Sequence, residues 1–180
     1  MLKSFNVFIN SEKEVRTYCA FFMKLSTTDF KAVVKSTPLI SIDLIVRDSE
    51  GKVLLGKRTN RPAKGFWFVP GGRVLKDEHF ESAFKRLIKE ELGLDNVKSI
   101  FKGIYQHFYD DNFSEDDFST HYLVLAYEIT FKGDLASLPL EQHSKYKWFA
   151  AKELVESEQV HKHSKWYFQE NKQADASLKK

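Results

Sequence analysis

Three glutamates and an arginine follow a Pro-Gly-Gly turn at intervals that suit a divalent cation. The turn is Pro70-Gly71-Gly72. Glu78, Arg86, Glu90 and Glu91 come after it, and Gly93 and Leu94 close the stretch. A glycine-rich loop lets backbone groups come close to a phosphate or a metal, and carboxylates on a following helix offer the hard oxygen ligands that magnesium prefers. A cation held there can clamp a diphosphate. Arg86 is expected to pair with Glu78 or a neighbouring carboxylate across the loop, orienting ligands without touching a substrate. Directly after Arg86 stands Leu87. Residues 87 and 91 lie one helical turn apart, so a leucine occupies the side from which Glu91 projects, where a second carboxylate could have served.

Other chemistry-bearing residues lie outside this stretch. Asp43 sits inside an apolar run. An unpaired carboxylate is costly there, so it should face a pocket or a partner rather than the core. Arg73 follows the Pro-Gly-Gly turn and Arg58 ends a strand expected to run beside it, which suits both to a phosphate. His143, in a Gln-His-Ser-Lys context, reads by itself as an exposed loop histidine. His107 and Tyr122 read by themselves as strand residues that fill the core or bond to backbone. Asp110, Asp111, Asp116 and Asp117 lack the spacing of a calcium loop and read as a solvated lid segment.

The elements that must position these groups are legible from periodicity. Residues 39–46 are apolar and β-branched, Asp48-Ser49-Glu50-Gly51 reads as a turn, and residues 52–57 return as the second arm of a hairpin. A short strand over 66–69 leads into the glycine turn. Phe80, Ala83, Phe84, Leu87, Ile88 and Leu92 then recur at helical spacing until Gly93 stops the helix. Strands are expected over 98–108, 119–131 and 145–149, and helices near 151–156 and 164–171. Ser26-Thr27-Thr28-Asp29 is a polar helix start before Phe30, Val33 and Val34. Strands enclosed by helices give an α+β fold, an α/β/α sandwich around a mixed sheet. The reading is one domain over 23–171, an extension over 1–22 that is either an upstream-start artefact or an interface segment, and a frayed polar tail over 172–180.

A chain of 180 residues, 42% hydrophobic and 14% aromatic, has material for one well-buried core. The net charge of +3 is too small to imply a nucleic-acid or membrane partner, so any anion preference must be local. The single cysteine, Cys19, offers no internal disulfide and fits a cytoplasmic location. The apolar stretches fall well short of the roughly 20 residues of a membrane span.

Gly72, Glu78, Arg86, Glu90, Glu91, Gly93 and Leu94 together resemble the Nudix box, G-x5-E-x7-R-E-U-x-E-E-x-G-U with U aliphatic, and Leu87 is its one departure. The likeness narrows further. Asp43, the stretch from Gly56 to Pro62, Trp67-Phe68-Val69-Pro70-Gly71-Gly72-Arg73-Val74, Gln106 to Phe113 and Glu141-Gln142-His143 together resemble the GDP-mannose mannosyl hydrolase family. That family's box is degenerate at the same place.

The resemblance implies a magnesium ion, replaceable by manganese, held by the carbonyl of Gly71, by Glu91 and by Gln142. It implies His143 as general base, Arg58 and Arg73 at the phosphates, Asp43 at the sugar, and His107 and Tyr122 near the substrate. Glu90, which the family can lose, is left without a role. The implied reaction is attack of water at the anomeric carbon of GDP-mannose or GDP-glucose, with inversion, giving GDP and free sugar. The implied assembly is a homodimer. Two alternatives stay open at this point: a Nudix pyrophosphohydrolase splitting the diphosphate of a nucleotide sugar, and a non-catalytic nucleotide-sugar sensor.

Overall fold

The structure is a computed structural model, and it describes residues 25–177 except 115 and 132–134. The 1–22 extension therefore lies outside the described residues. The first described helix, α1 (Thr27–Ser36), starts where the polar tetrapeptide predicts, with Ser26 accepting a hydrogen bond from the Asp29 amide as its N-cap. Strand β1 (Leu39–Arg47) is the spine of the sheet and is buried from Ser41 to Val46. It runs parallel to β6 (Thr120–Thr130), in register from Leu39 opposite Tyr122 to Arg47 opposite Thr130.

The expected hairpin between β1 and β2 (Val53–Arg58) exists only at its base, where Arg47 faces Val53. Beyond that pair the strands part. The edge of β1 at Ser41, Ile42 and Asp43 is taken by β4 (Gly71–Arg73), while β2 pairs with β3 (Trp67–Phe68) and with β7 (His143–Phe149). Strand β5 (Ser99–Tyr109) completes the sheet against β6.

Helix α2 (Phe80–Leu92) covers one face. Its Ala83, Leu87, Ile88 and Leu92 pack on Ile42, Leu44, Val46 and Leu54. Each fully buried aliphatic side chain here contributes about 1.5–3 kcal/mol relative to exposure. Gly93 stops the helix as its periodicity predicts, at φ 68°, with its N–H bonded to Lys89 O at 3.0 Å. The other face carries α3 (Ala151–Glu156), α4 (Lys162–Trp166) and the chain after them, packed through Leu154, Val160, Tyr167 and Phe168. The architecture is the expected α/β/α sandwich.

Three expectations need correction. The last helix is short and begins at Lys162, leaving Tyr167 and Phe168 in turns that press onto the sheet. Strand β7 starts at His143, not at 145, so that histidine is part of the sheet. The tail is tied down as far as Ala176, which exchanges two hydrogen bonds with Ile104 while Asp175 accepts from the Gln106 amide.

Candidate active site

The turn before α2 and the second half of that helix meet over β1. Asp43 pairs with Gly71 across the ladder, and Leu44 N–H donates to Pro70 O at 2.8 Å. This contact demands glycine: a Cβ at Gly71 would lie 2.3 Å from Ile42 O. Gly72 is constrained from the opposite side, since a Cβ there would lie 2.6 Å from Leu87 Cδ2.

Glu91 projects from α2 beneath the turn and is 2% exposed. Its Oε1 accepts from Gln142 Nε2 at 2.6 Å, and Gly71 supplies a backbone hydrogen bond. Gln142 is anchored in turn, its carbonyl accepting from both the amide and the hydroxyl of Thr59. Gly71, Glu91 and Gln142, the three residues expected to hold a metal, therefore converge. Burial pushes the Glu91 carboxyl up to about 7, against the opposing pull of Arg58. This buried carboxylate has no arginine or lysine in ion-pair contact among the described residues, and with the Gln142 amide beside it the site suits one hard divalent cation. Among the described residues no group of three or more histidine, cysteine or acidic side chains gathers as a metal site.

Arg86 does what its spacing predicts. Its Nε and Nη2 donate to the two oxygens of Glu78 at 2.7 and 2.8 Å, Nη1 donates to Glu90 at 2.8 Å, and Nη2 also reaches Arg73 O at 2.9 Å. Glu90 is thereby engaged at the rim. Leu87, 1% exposed, packs in the core while also lining the cavity beside Glu90.

That cavity, about 290 Å³, brings together most of the expected residues. Asp43, Arg58, Gly71, Arg73, His107, Tyr122 and Gln142 all line it. Arg58 lies 5.5 Å from the ring centre of Phe68 and Arg73 lies 4.2 Å from that of Phe30. In contrast to Arg86, neither has a carboxylate within ion-pair distance among the described residues, so their charge is available to an anion. Phe30 from α1 and Phe113 from the acidic loop, 4.7 Å apart, form a rim that Lys31 clips with an ion pair to Asp116. Within that loop Asn112 is buried, bonding the carbonyls of Asp116 and Phe118, so the segment is built rather than merely solvated.

Asp43 is 6% exposed and accepts from the Tyr167 hydroxyl at 2.7 Å. Burial pushes its carboxyl up to about 7, with Tyr167 and Arg58 pulling the other way. His107, 1% exposed, stacks on His163 at 4.2 Å and is lowered to about 3 by burial and by His161. Tyr122 stands edge-on to Tyr109.

His143 departs from expectation. It is 1% exposed, does not line the cavity, and packs so tightly on Gly56 that a Cβ there would lie 2.3 Å from its Cδ2. Its Nδ1 is 3.2 Å from the Tyr146 hydroxyl and 3.7 Å from Glu91, and its Nε2 is enclosed with no partner among the described residues. Burial lowers it to about 4. The strand β7 draws it inward because Gly56 leaves a space the size of its ring. Sequence reasoning also missed Tyr167, His161 and His163. The alternation of histidines at 161 and 163 before Trp166-Tyr167 was the available signal.

The mixed sheet, the loop and helix at its edge and the carboxylate beneath them are those of the Nudix hydrolases, which generally use a divalent metal such as magnesium. A NUDIX domain model matches residues 37–169, and the chain belongs to the Nudix family. It is 43% identical over 126 residues, 70% of its length and 80% of the other's, to "Low-salt glycan biosynthesis protein Agl8" of Haloferax volcanii. A shorter match, 45% over 69 residues, covers 38% of this chain and 40% of an "ADP-ribose pyrophosphatase" of Methanocaldococcus jannaschii.

Solved structures share the fold. The MutT protein of Methanosarcina mazei Go1 aligns at a TM-score of 0.59 with 20% identity, covering 74% of this chain and 92% of that one. The NUDIX domain of Shewanella oneidensis NrtR, solved with ADP ribose, aligns at 0.55 with 18% identity, covering 77% and 92%. Among the described residues no helix is long and apolar enough to cross a membrane.

Proposed function

We propose that this Nudix hydrolase cleaves GDP-mannose, or a close nucleotide sugar such as GDP-glucose, to GDP and free sugar. The observation that carries the reading is Leu87: the box position after Arg86 is sealed by a core leucine and Glu90 is bound by Arg86, leaving Glu91 as the one box carboxylate buried at the metal position. That set is thin for attack at phosphorus. The available charge instead favours a diphosphate leaving group, since Arg58 and Arg73 face the cavity without carboxylate partners among the described residues.

A magnesium ion held by Gly71, Glu91 and Gln142 would neutralise charge on the departing diphosphate. Arg58 and Arg73 bind the phosphates and Asp43 takes a sugar hydroxyl, with His107 and Tyr122 behind it. A water oxygen attacks the anomeric carbon, the bond from that carbon to the β-phosphate oxygen breaks, and GDP leaves with the electron pair. Attack opposite the leaving group inverts the centre, so α-linked GDP-mannose yields β-mannose.

His143 is the proposed acceptor of the water proton. Because it packs against Gly56, this role requires the first residue of β7 to turn outward with substrate bound. Asp43, which already lines the cavity, is the competing acceptor.

Hydrolysis in ¹⁸O-water tests the reading. Label in the sugar supports cleavage at carbon. Label in a phosphate, with GMP and sugar phosphate as products, supports the pyrophosphohydrolase reading instead. No turnover with magnesium favours a sensor. The assembly proposed with this activity is a homodimer, which light scattering would measure directly.

A further inference from the structure

The C-terminal turns bring one hydroxyl against two residues that line the cavity, Asp43 and His107. Tyr167 comes from just beyond α4, where its ring stands edge-on to Tyr105 at 4.8 Å. Its Oη lies 2.7 Å from Asp43 Oδ2 on β1 and 3.3 Å from His107 Nε2 on β5. Three distant segments of chain thus meet at one oxygen.

The proton arrangement at that oxygen follows from donor counting. A phenol has one proton, and that of Tyr167 lies along the hydrogen bond to Asp43 Oδ2. Tyr167 therefore donates to Asp43, and its oxygen is left to accept from His107, which must carry its hydrogen on Nε2. Burial keeps His107 neutral, so one tautomer satisfies the bridge. The result is a directed chain, His107 Nε2–H to Tyr167 O–H to Asp43 Oδ2. With Oδ2 taken, Oδ1 lies on the Gly71 side, 3.2 Å from where a Cβ of that glycine would stand.

We propose that Tyr167 is a positioning residue, whose hydroxyl fixes the rotation of the Asp43 carboxylate so that one oxygen is held inside the fold and the other is presented toward the turn. This rests on the reading of Asp43 as the carboxylate at the sugar end. His107, which also lines the cavity, then supports the same carboxylate through Tyr167. Without the hydroxyl, Asp43 swings between rotamers and the sugar loses a preset acceptor, while the phosphate end, held by other elements, is unaffected.

Tyr167→Phe removes the hydroxyl and keeps the ring. A hydrogen bond to a charged group is typically worth about tenfold to hundredfold in an equilibrium, so kcat on GDP-mannose should fall by that factor. Magnesium-dependent binding of GDP, read by calorimetry, should stay within about twofold of wild type. In the Asp43→Asn background, Tyr167→Phe should cost little more, since both changes break one unit. Additive losses, or loss of GDP binding, would show a merely structural role and overturn the proposal.

A substrate-free readout separates this from failure of the proposed activity. In ¹³C-aspartate-labelled protein, Tyr167→Phe should shift the Asp43 carboxyl resonance whether or not GDP-mannose is hydrolysed, and an unshifted resonance refutes the bridge. If Tyr167→Phe proves unstable, His107→Leu removes the other end of the bridge. It should shift the same resonance, and no shift again overturns the proposal.

Discussion

Replacing Leu87 with glutamate would restore the residue type that the box pattern carries after Arg86, and the structure says what that would cost. Leu87 is 1% exposed, with Cδ2 pressed toward Gly72 and its body among Ile42, Leu44 and Leu92. Loss of its burial removes about 2 kcal/mol. A carboxyl in that place shares the surroundings that push Glu91 up to about 7. At about 1.4 kcal/mol per pKa unit, keeping it ionised at pH 8 costs roughly 3 kcal/mol more.

Since Leu87 also touches the cavity, the new side chain can lean toward water, and the net destabilisation should be about 3–5 kcal/mol. That is a large part of a typical domain's 5–15 kcal/mol, and it lowers the melting temperature by roughly 6–20 °C. Urea unfolding gives the energy, and product analysis in ¹⁸O-water gives the bond cleaved. The expected outcome is a weakened protein that still releases GDP slowly. A variant as stable as wild type that releases mainly GMP would refute both the packing argument and the view that the leucine belongs to a carbon-attacking site.

Glu91→Gln and Gln142→Ala should each weaken magnesium binding at least tenfold with the fold retained, as read by metal titration and circular dichroism; wild-type affinity in both would remove them as ligands. His143→Gln should lower kcat by about 10²–10⁴ with a much smaller change in the Michaelis constant, measured at saturating magnesium. If Asp43→Asn shows that loss and His143→Gln does not, Asp43 is the proton acceptor.

Stability should fall with acid. His107, His143, His161 and His163 all sit below their usual 6.5, the first three at about 3, 4 and 4, so between pH 6.5 and about 4 the unfolded chain binds protons that the folded one refuses. Asp43 and Glu91, raised to about 7, act oppositely. Four groups against two leave a net loss of up to about 3 kcal/mol per pH unit below 6.5, and urea unfolding at pH 7.5, 6 and 5 without added metal checks it. Flat stability over that range would contradict the burial of the histidines.

The glycine turn, the helix after it and its stop at Gly93 were legible because each depends on residues close in sequence. So did the Arg86 pairing, eight residues from Glu78 and four from Glu90. The parting of β1 from β2 was not, because it depends on β4 taking the same edge of β1 at Ser41, Ile42 and Asp43. The depth of His143 depends on the missing side chain at Gly56, far away in sequence. A histidine beside a glutamine in a polar stretch gives no local sign of such a partner. The Tyr167 bridge joins segments more than a hundred residues apart, a relation that no periodicity reports.

The pairing of Asp43 with Gly71 makes the cavity a gauge. Both residues are locked into one backbone ladder, so the interval between the glycine turn and the carboxylate cannot stretch to accommodate a longer ligand or contract around a shorter one. In the proposed reading, with the metal at Gly71 and the sugar at Asp43, those two groups keep one fixed separation whichever ligand arrives.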